Sequence, residues 1–450
     1  MKKIFILFVL TSIFAQAQFT IKGTMNPPYK NNWILLYKIE GARQVFIKNT
    51  TAKIDTIAQK PVATFQFNLP KDAKTGSYRV TYDTRNRGFV DFLFNKEDIE
   101  FTFNPKYPNQ SIVFSKSNEN ILYKEYIAAI SVAQHQLDSV QVSELKKPSE
   151  NNAKNYITAL QKVISVQNTY LKKTKNKMVA HFVKATLRKN SPKIISSMQS
   201  YINYISDNFF KNMDLEDPIL YNSSFLVDRI TDYVFYLNYN EDFSLQQKLY
   251  KESIAKVLSK IKNTTFKKDV IEFLITQFEA QKNVDLVDSL FANYYDKLPE
   301  TYQNKDFKTK KLAALAVEIG RIAPDFSWKE NEKSYKLSTL NDANSYLLVF
   351  WSTGCSHCLQ EIPKLYTFMK DNPNTKVIAF SLEKTPFTWK NYIANLKGWH
   401  NVLGLNKWEN KTSRTYRITS TPSYFILDKN KKIVGKPEHL KDVKQFFGSK

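Results

Sequence analysis

The placement of glycine constrains this chain most. Four of its 10 glycines lie between Gly23 and Gly88, the next is Gly320, and the rest fall from Gly354 to Gly448. Tight turns and bulges use glycine's freedom at positive φ, whereas helices are weakened by it. The long interval without glycine therefore predicts helices joined by polar turns, with strands expected on either side. At 450 residues, two or three domains are expected rather than one core.

The flanking sequences agree. FTIKGTM (19–25), WILLYKI (33–39), VATFQFNL (62–69), SYRVTYD (77–83), GFVDFLFN (88–95), DIEFTFN (98–104) and SIVFSK (111–116) are short and β-branched or aromatic. Several alternate apolar with polar, and Asn26-Pro27-Pro28 and Lys74-Thr75-Gly76 supply turns between them. Together they predict a small antiparallel sandwich. From about Asn120 to Ala316 the apolar spacing becomes three and four, as in ILYKEYIAAISVAQHQL, NYITALQKVISVQNTYL and LQQKLYKESIAKVLSKI. Pro148, Pro192, Pro218 and Pro299 fall between these runs, where helices start or stop. His135 and His181 stand alone here and read as surface or core residues, not ligands. Beyond Glu318 the pattern alternates. SYLLVFW (345–351) and TKVIAFSL (375–382) suit strands buried on both faces. LQEIPKLYTFMK and PFTWKNYIANL suit helices, SYFILD and KKIVG a hairpin, and HLKDVKQFF a closing helix. That succession predicts a mixed α/β sheet.

The N-terminus, MKKIFILFVLTSIFAQAQF, has a basic start, an apolar run from Ile4 to Phe14, and Ala15-Gln16-Ala17. This is the pattern of a secretory leader cut after Ala17. The run is too short for a permanent span, so the expectation is a soluble protein, periplasmic or otherwise exported, where disulfides persist. The net charge is +24. Lysine is spread along the chain without an arginine-rich arm, so a solvated basic surface is expected, not a nucleic-acid partner.

Both cysteines of the chain, Cys355 and Cys358, lie in WSTGCSHCLQEIPKL. A disulfide closing so small a loop adds little stability. A metal site needs two more ligands, and only His357 is near; neither a metal nor a cofactor is expected. The remaining reading is a redox pair. A Cys-x-x-Cys after a buried strand and at a helix start uses the helix N-terminus to favour thiolate. Cys355 would be the exposed nucleophile, and Cys358, one turn further in, would resolve the mixed disulfide.

These motifs resemble a family. From Ile319 to Lys450 the chain resembles the exported thioredoxin-like proteins of the TlpA/ResA type. IAPDF (322–326) is similar to their opening motif, VFWSTGCSHCLQEIPKL to their active-site strand and helix, and ITSTPSYFILD to their cis-proline loop and strand. The first segment resembles, in strand pattern and position, a β module that often precedes such domains. With the readings of the earlier segments, this divides the chain into a leader over 1–17, a β-sandwich module over 18–117, an α-helical region over 118–316 and, from the resemblance, a thioredoxin-like redox domain over 317–450.

It also implies roles for individual residues. Pro422, after Thr421, would be the cis-proline facing the cysteines, with the Thr421 backbone offered to an extended substrate. Glu361 matches the acid that carries a proton near the buried cysteine. Val349 stands near the position where ordinary thioredoxins bury an aspartate, which strengthens Glu361 as its substitute. Ser356 and His357 would tune the potential, and a protonated histidine there favours the reduced form. Gly354 departs from the family, which mostly carries an aromatic residue before the first cysteine. The expected activity is thiol–disulfide exchange on proteins in the reductase or isomerase direction, with an electron donor or acceptor outside this chain. The competing expectation is a non-enzymatic protein that binds a peptide, glycan or partner on a thioredoxin-like scaffold. No sequence signature sets an oligomeric state.

Overall fold

The computed structural model describes residues 19–330 and 332–448; the leader expected over residues 1–17 lies outside them. The chain divides into two compact units, one running to Val270 and the other from Ile271.

The first unit opens with nine strands: β1 (Phe19–Met25), β2 (Trp33–Glu40), β3 (Arg43–Thr51), β4 (Lys53–Ile57), β5 (Lys60–Leu69), β6 (Gly76–Asp83), β7 (Gly88–Phe94), β8 (Ile99–Phe103) and β9 (Val113–Lys116). They form two sheets, in the orders β4-β5-β1-β8-β9 and β3-β2-β6-β7. One apolar cluster draws on both, with Ile21, Phe65 and Phe101 from the first and Leu36, Val80 and Phe92 from the second. Gly23 admits the Phe65 ring across β1, because a Cβ there would sit 2.0 Å from that ring.

One pairing departs from the antiparallel pattern expected: β1 and β8 run parallel, with Ile21 opposite Ile99. The chain between them passes through the second sheet, so no hairpin fixes their relative direction. Strands β3 and β4 were not read from the sequence. They are almost wholly exposed, so they carry no burial alternation to read.

The helices that follow are α1 (Pro108–Ser111), lying between β8 and β9, then α2 (Asn118–Lys146), α3 (Glu150–Lys173), α4 (Val179–Ala185), α5 (Met198–Asn208), α6 (Pro218–Tyr221), α7 (Phe225–Thr231) and α8 (Phe243–Lys260). A ninth, α9 (Thr264–Ala280), crosses the division between the units. Local chemistry starts the two long ones. The Ser117 side chain accepts from the Asn120 N–H, and Ser149 accepts from Asn152 N–H, as N-caps do. Their seam buries Ala133 and Leu137 against Tyr156 and Val163. His181 is not alone, since it pairs with Asp217.

The second unit contains α10 (Val284–Asn293), α11 (Lys305–Ala314), β10 (Ser327–Glu330), β11 (Lys333–Lys336), β12 (Ser345–Trp351), α12 (Ser356–Lys370), β13 (Thr375–Glu383), α13 (Phe387–Ile393), β14 (His400–Leu405), α14 (Lys411–Thr415), β15 (Ser423–Asp428), β16 (Ile433–Gly435) and α15 (Leu440–Gly448). Its main sheet has the order β14-β13-β12-β15-β16. Strands β12, β13 and β14 are parallel, and β15 is antiparallel to β12. Alternation along β12 fills both faces. Tyr346, Leu348 and Phe350 enter one core with Phe326 and Tyr416. Leu347, Val349 and Trp351 enter the other with Ile362 and Leu365 of α12 and Val443 of α15. Each fully buried aliphatic side chain there contributes about 1.5–3 kcal/mol. Among the described residues, no helix is long and apolar enough to cross a membrane.

Candidate active site

The site lies where the parallel strands end. Strand β12 stops at Trp351, and the chain turns through Ser352, Thr353 and Gly354 into α12. Cys355 is the N-cap of that helix, and its Sγ accepts the Cys358 N–H at 3.1 Å. A sulfur thus takes the place of the usual capping oxygen, facing the positive end of the helix. Cys355 is half-buried, whereas Cys358 is 0% exposed among Trp351, Ile362 and Leu365. The two are joined as a disulfide, with Cα atoms 5.2 Å apart.

The loop before Cys355 is braced from below by Glu383, the last residue of β13. Its carboxylate is only 4% exposed. Oε1 accepts the Thr353 N–H at 2.7 Å and the Ser381 hydroxyl at 2.6 Å, and Oε2 accepts the Thr353 hydroxyl at 2.9 Å. Three charge-assisted bonds compensate the burial of that carboxylate.

On the other side of the pair stand Thr421 and Pro422, joined by a cis peptide bond. The Thr421 carbonyl oxygen lies 3.4 Å from Cys355 Sγ. Glu361, one turn beyond Cys358, is half-buried, with 16% side-chain exposure. Its Oε2 accepts the Tyr424 hydroxyl at 2.7 Å, and its Oε1 lies 3.3 Å from Nε2 of His357, which is 60% exposed. Burial, together with the Glu361 carboxylate, holds the Tyr424 hydroxyl well above the ordinary tyrosine range. Ser356 is exposed at the first position of α12. Val349 is fully buried and lies opposite Tyr424 in the β12–β15 register.

All seven residues singled out from the sequence therefore meet at one end of the sheet. Three others there were missed. Tyr424 reads as plain core in SYFILD. Glu383 had a signal, since it is an acid directly after a buried apolar run. Lys407 had none: its ammonium packs over Gly354, 3.5 Å from where a Cβ would stand.

A central parallel pair with its helix capped by the first sulfur of a Cys-x-x-Cys defines a thioredoxin-like α/β domain carrying a dithiol–disulfide centre. Comparison with known proteins agrees. Residues 343–433 match the family described as thioredoxin-like. The thiol-disulfide oxidoreductase ResA of Bacillus thuringiensis (strain Al Hakam) is 30% identical over 122 residues, which is 26% of this chain and 68% of that protein. The thioredoxin-like protein YneN of Bacillus subtilis is 27% identical over 125 residues, 27% of this chain and 72% of that protein. A solved domain of a possible thiol-disulfide isomerase from Cytophaga hutchinsonii is 31% identical, covering 29% of this chain and 91% of that one, with a TM-score of 0.26. The chain belongs to the thioredoxin-like thiol–disulfide oxidoreductase family that includes ResA, and it is an enzyme of that kind.

Proposed function

We propose that this protein is an exported thiol–disulfide oxidoreductase acting on protein clients through Cys355 and Cys358, in the reductase or isomerase direction. The observation that carries the reading is the asymmetry of the two sulfurs: one caps a helix at the surface, the other is buried a turn behind it. In the reductive direction the Cys355 thiolate attacks a client disulfide. A mixed disulfide forms, and the client's other sulfur leaves as thiolate. Cys358 then attacks Cys355 Sγ, releasing the second client sulfur and leaving the enzyme oxidised by two electrons. A dithiol donor outside this chain must restore it. Glu361 takes up the Cys358 proton as that thiol becomes the attacking thiolate. The Thr421 carbonyl, beside Cys355, offers a backbone acceptor to an extended client segment, with Pro422 shaping that wall.

Export is supported by the leader-like N-terminus, and Ser356 and His357 set the potential within this reading. We assign the redox module to 317–450, the helical region to 118–316 and an N-terminal sandwich module to 18–117. Reduced Cys358→Ser should accumulate mixed disulfides with disulfide-bonded clients such as insulin, and Cys355→Ser should accumulate none. A Cys358→Ser protein that traps nothing would remove the assignment of Cys355 as nucleophile. Equilibration with glutathione decides direction: about −270 mV marks a reductase and about −120 mV an oxidase, and an intermediate value is expected.

A further inference from the structure

Gly354 leaves the rim beside Cys355 without a side chain, and a cation occupies the gap. The Lys407 ammonium sits 3.5 Å from the position of a Gly354 Cβ. It is held there by an unusual backbone. Asn406 and Lys407 both have positive φ, 69° and 47°, a combination that non-glycine residues adopt at a cost and that concentrates at functional sites. The turn is fastened by Asn410, whose side-chain amide donates to the Leu405 carbonyl at 2.9 Å and whose Oδ1 accepts the Thr412 N–H at 3.0 Å.

The ammonium is also unneutralised. Among the described residues Lys407 forms no ion pair. The nearest acid in sequence, Glu409, faces Arg414 at 3.4 Å. The acid beneath the loop, Glu383, is committed to Thr353 and Ser381. Phe387, which opens α13 beyond the end of β13, and Trp408, next to Lys407 in sequence, are 75% and 46% exposed.

We propose that Lys407 is a specificity-determining residue, and that the rim selects clients carrying an acidic side chain beside the reacting cysteine, with apolar flanks. This rests on the redox reading above and names the substrate class of that site. A cation lying over Gly354, the residue before Cys355, attracts a carboxylate brought in by the client, while exposed aromatic side chains supply apolar contact.

The test uses the full-length reduced protein and three disulfide-bonded peptides that differ only in the residue next to cysteine: Asp, Asn or Lys. Uncharged hydroxyethyl disulfide serves as a fourth substrate. The Asp peptide should exchange roughly two- to fivefold faster than the Asn peptide, the size of an exposed ion pair, and the Lys peptide slower. Lys407→Gln should erase the ranking and Lys407→Glu should invert it, and salt should weaken it. The basic surface as a whole is controlled by Lys429→Gln, which removes the same charge at the far end of β15 and should leave the ranking intact. An unchanged ranking in Lys407→Gln, or equal loss in Lys429→Gln, overturns the proposal while the enzyme remains active. Failure of the wild-type protein to exchange even with hydroxyethyl disulfide would overturn the redox reading, and this one with it.

Discussion

The Tyr424 hydroxyl donates to one oxygen of Glu361 at 2.7 Å, while the other oxygen of that carboxylate lies 3.3 Å from Nε2 of His357. One acid therefore links a buried tyrosine on β15 to the exposed histidine between the two cysteines. The carboxylate faces charge at the surface through His357, and in the exchange proposed above it takes up the Cys358 proton. Four expectations follow from this link and the brace beneath it.

Glu361→Gln keeps the shape of the acid and removes its proton affinity. Alkylation of Cys355 in the reduced protein should be little changed. Release of client from the mixed disulfide should slow by about a hundredfold, the scale of general acid–base assistance. Rapid-quench measurement of the two steps separates them, and slowing of the first step alone would take Glu361 out of proton transfer.

His357→Ala should make the pair more reducing by a few tens of millivolts, where 30 mV corresponds to about 1.4 kcal/mol. Because His357 faces Glu361, its effect should not add to that of Glu361→Gln. A four-variant cycle of potentials should show coupling of about 0.5 kcal/mol or more. Strict additivity would mean that the histidine acts on the sulfur independently of the acid.

The buried tyrosines give the second unit an alkaline limit. Burial and Asp342 push Tyr346 up to about 12, and Tyr416 and Tyr424 are also raised. The folded chain thus holds protons that the unfolded chain releases near pH 10. Their stabilisation is complete below that pH and is lost as pH rises toward the folded values. The urea midpoint should fall steadily above pH 10. Tyr424→Phe, which costs about 2 kcal/mol at neutrality through its bond to a carboxylate, should make that fall shallower.

Glu383→Ala removes acceptors from the Thr353 N–H, the Thr353 hydroxyl and the Ser381 hydroxyl together. It should cost about 2 kcal/mol or more in urea unfolding, and Thr353→Val about half of that. Equal stability of Glu383→Ala and wild type would show that the loop is held by other contacts.

Much of the second unit was legible because its strands and helices announce themselves locally. SYLLVFW and SYFILD coincide with β12 and β15, since runs buried on both faces leave no ambiguity of period. Strand β14, which opens on His400 and Asn401, was not read. Both residues are buried, but their burial depends on partners far away in sequence, including Glu330 for the His400 ring. The site divides along the same line. The cysteine pair was legible from its own spacing, and Glu361 and Thr421-Pro422 from short motifs that resemble the family's. Lys407 reaches Gly354 from an irregular turn far along the chain, and only the fold brings them together. Likewise β1 and β8 could not be paired in direction from sequence, because the chain visits another sheet between them.

The position of β12 has a consequence for persistence. It has a hydrogen-bonded neighbour on each side and a packed core on each face, so its amides should exchange with solvent only when the whole unit opens. The loop bearing Cys355 hangs from that strand and is tied to the end of the next through Glu383. The reacting sulfur is thus anchored in the last part of the unit to fray.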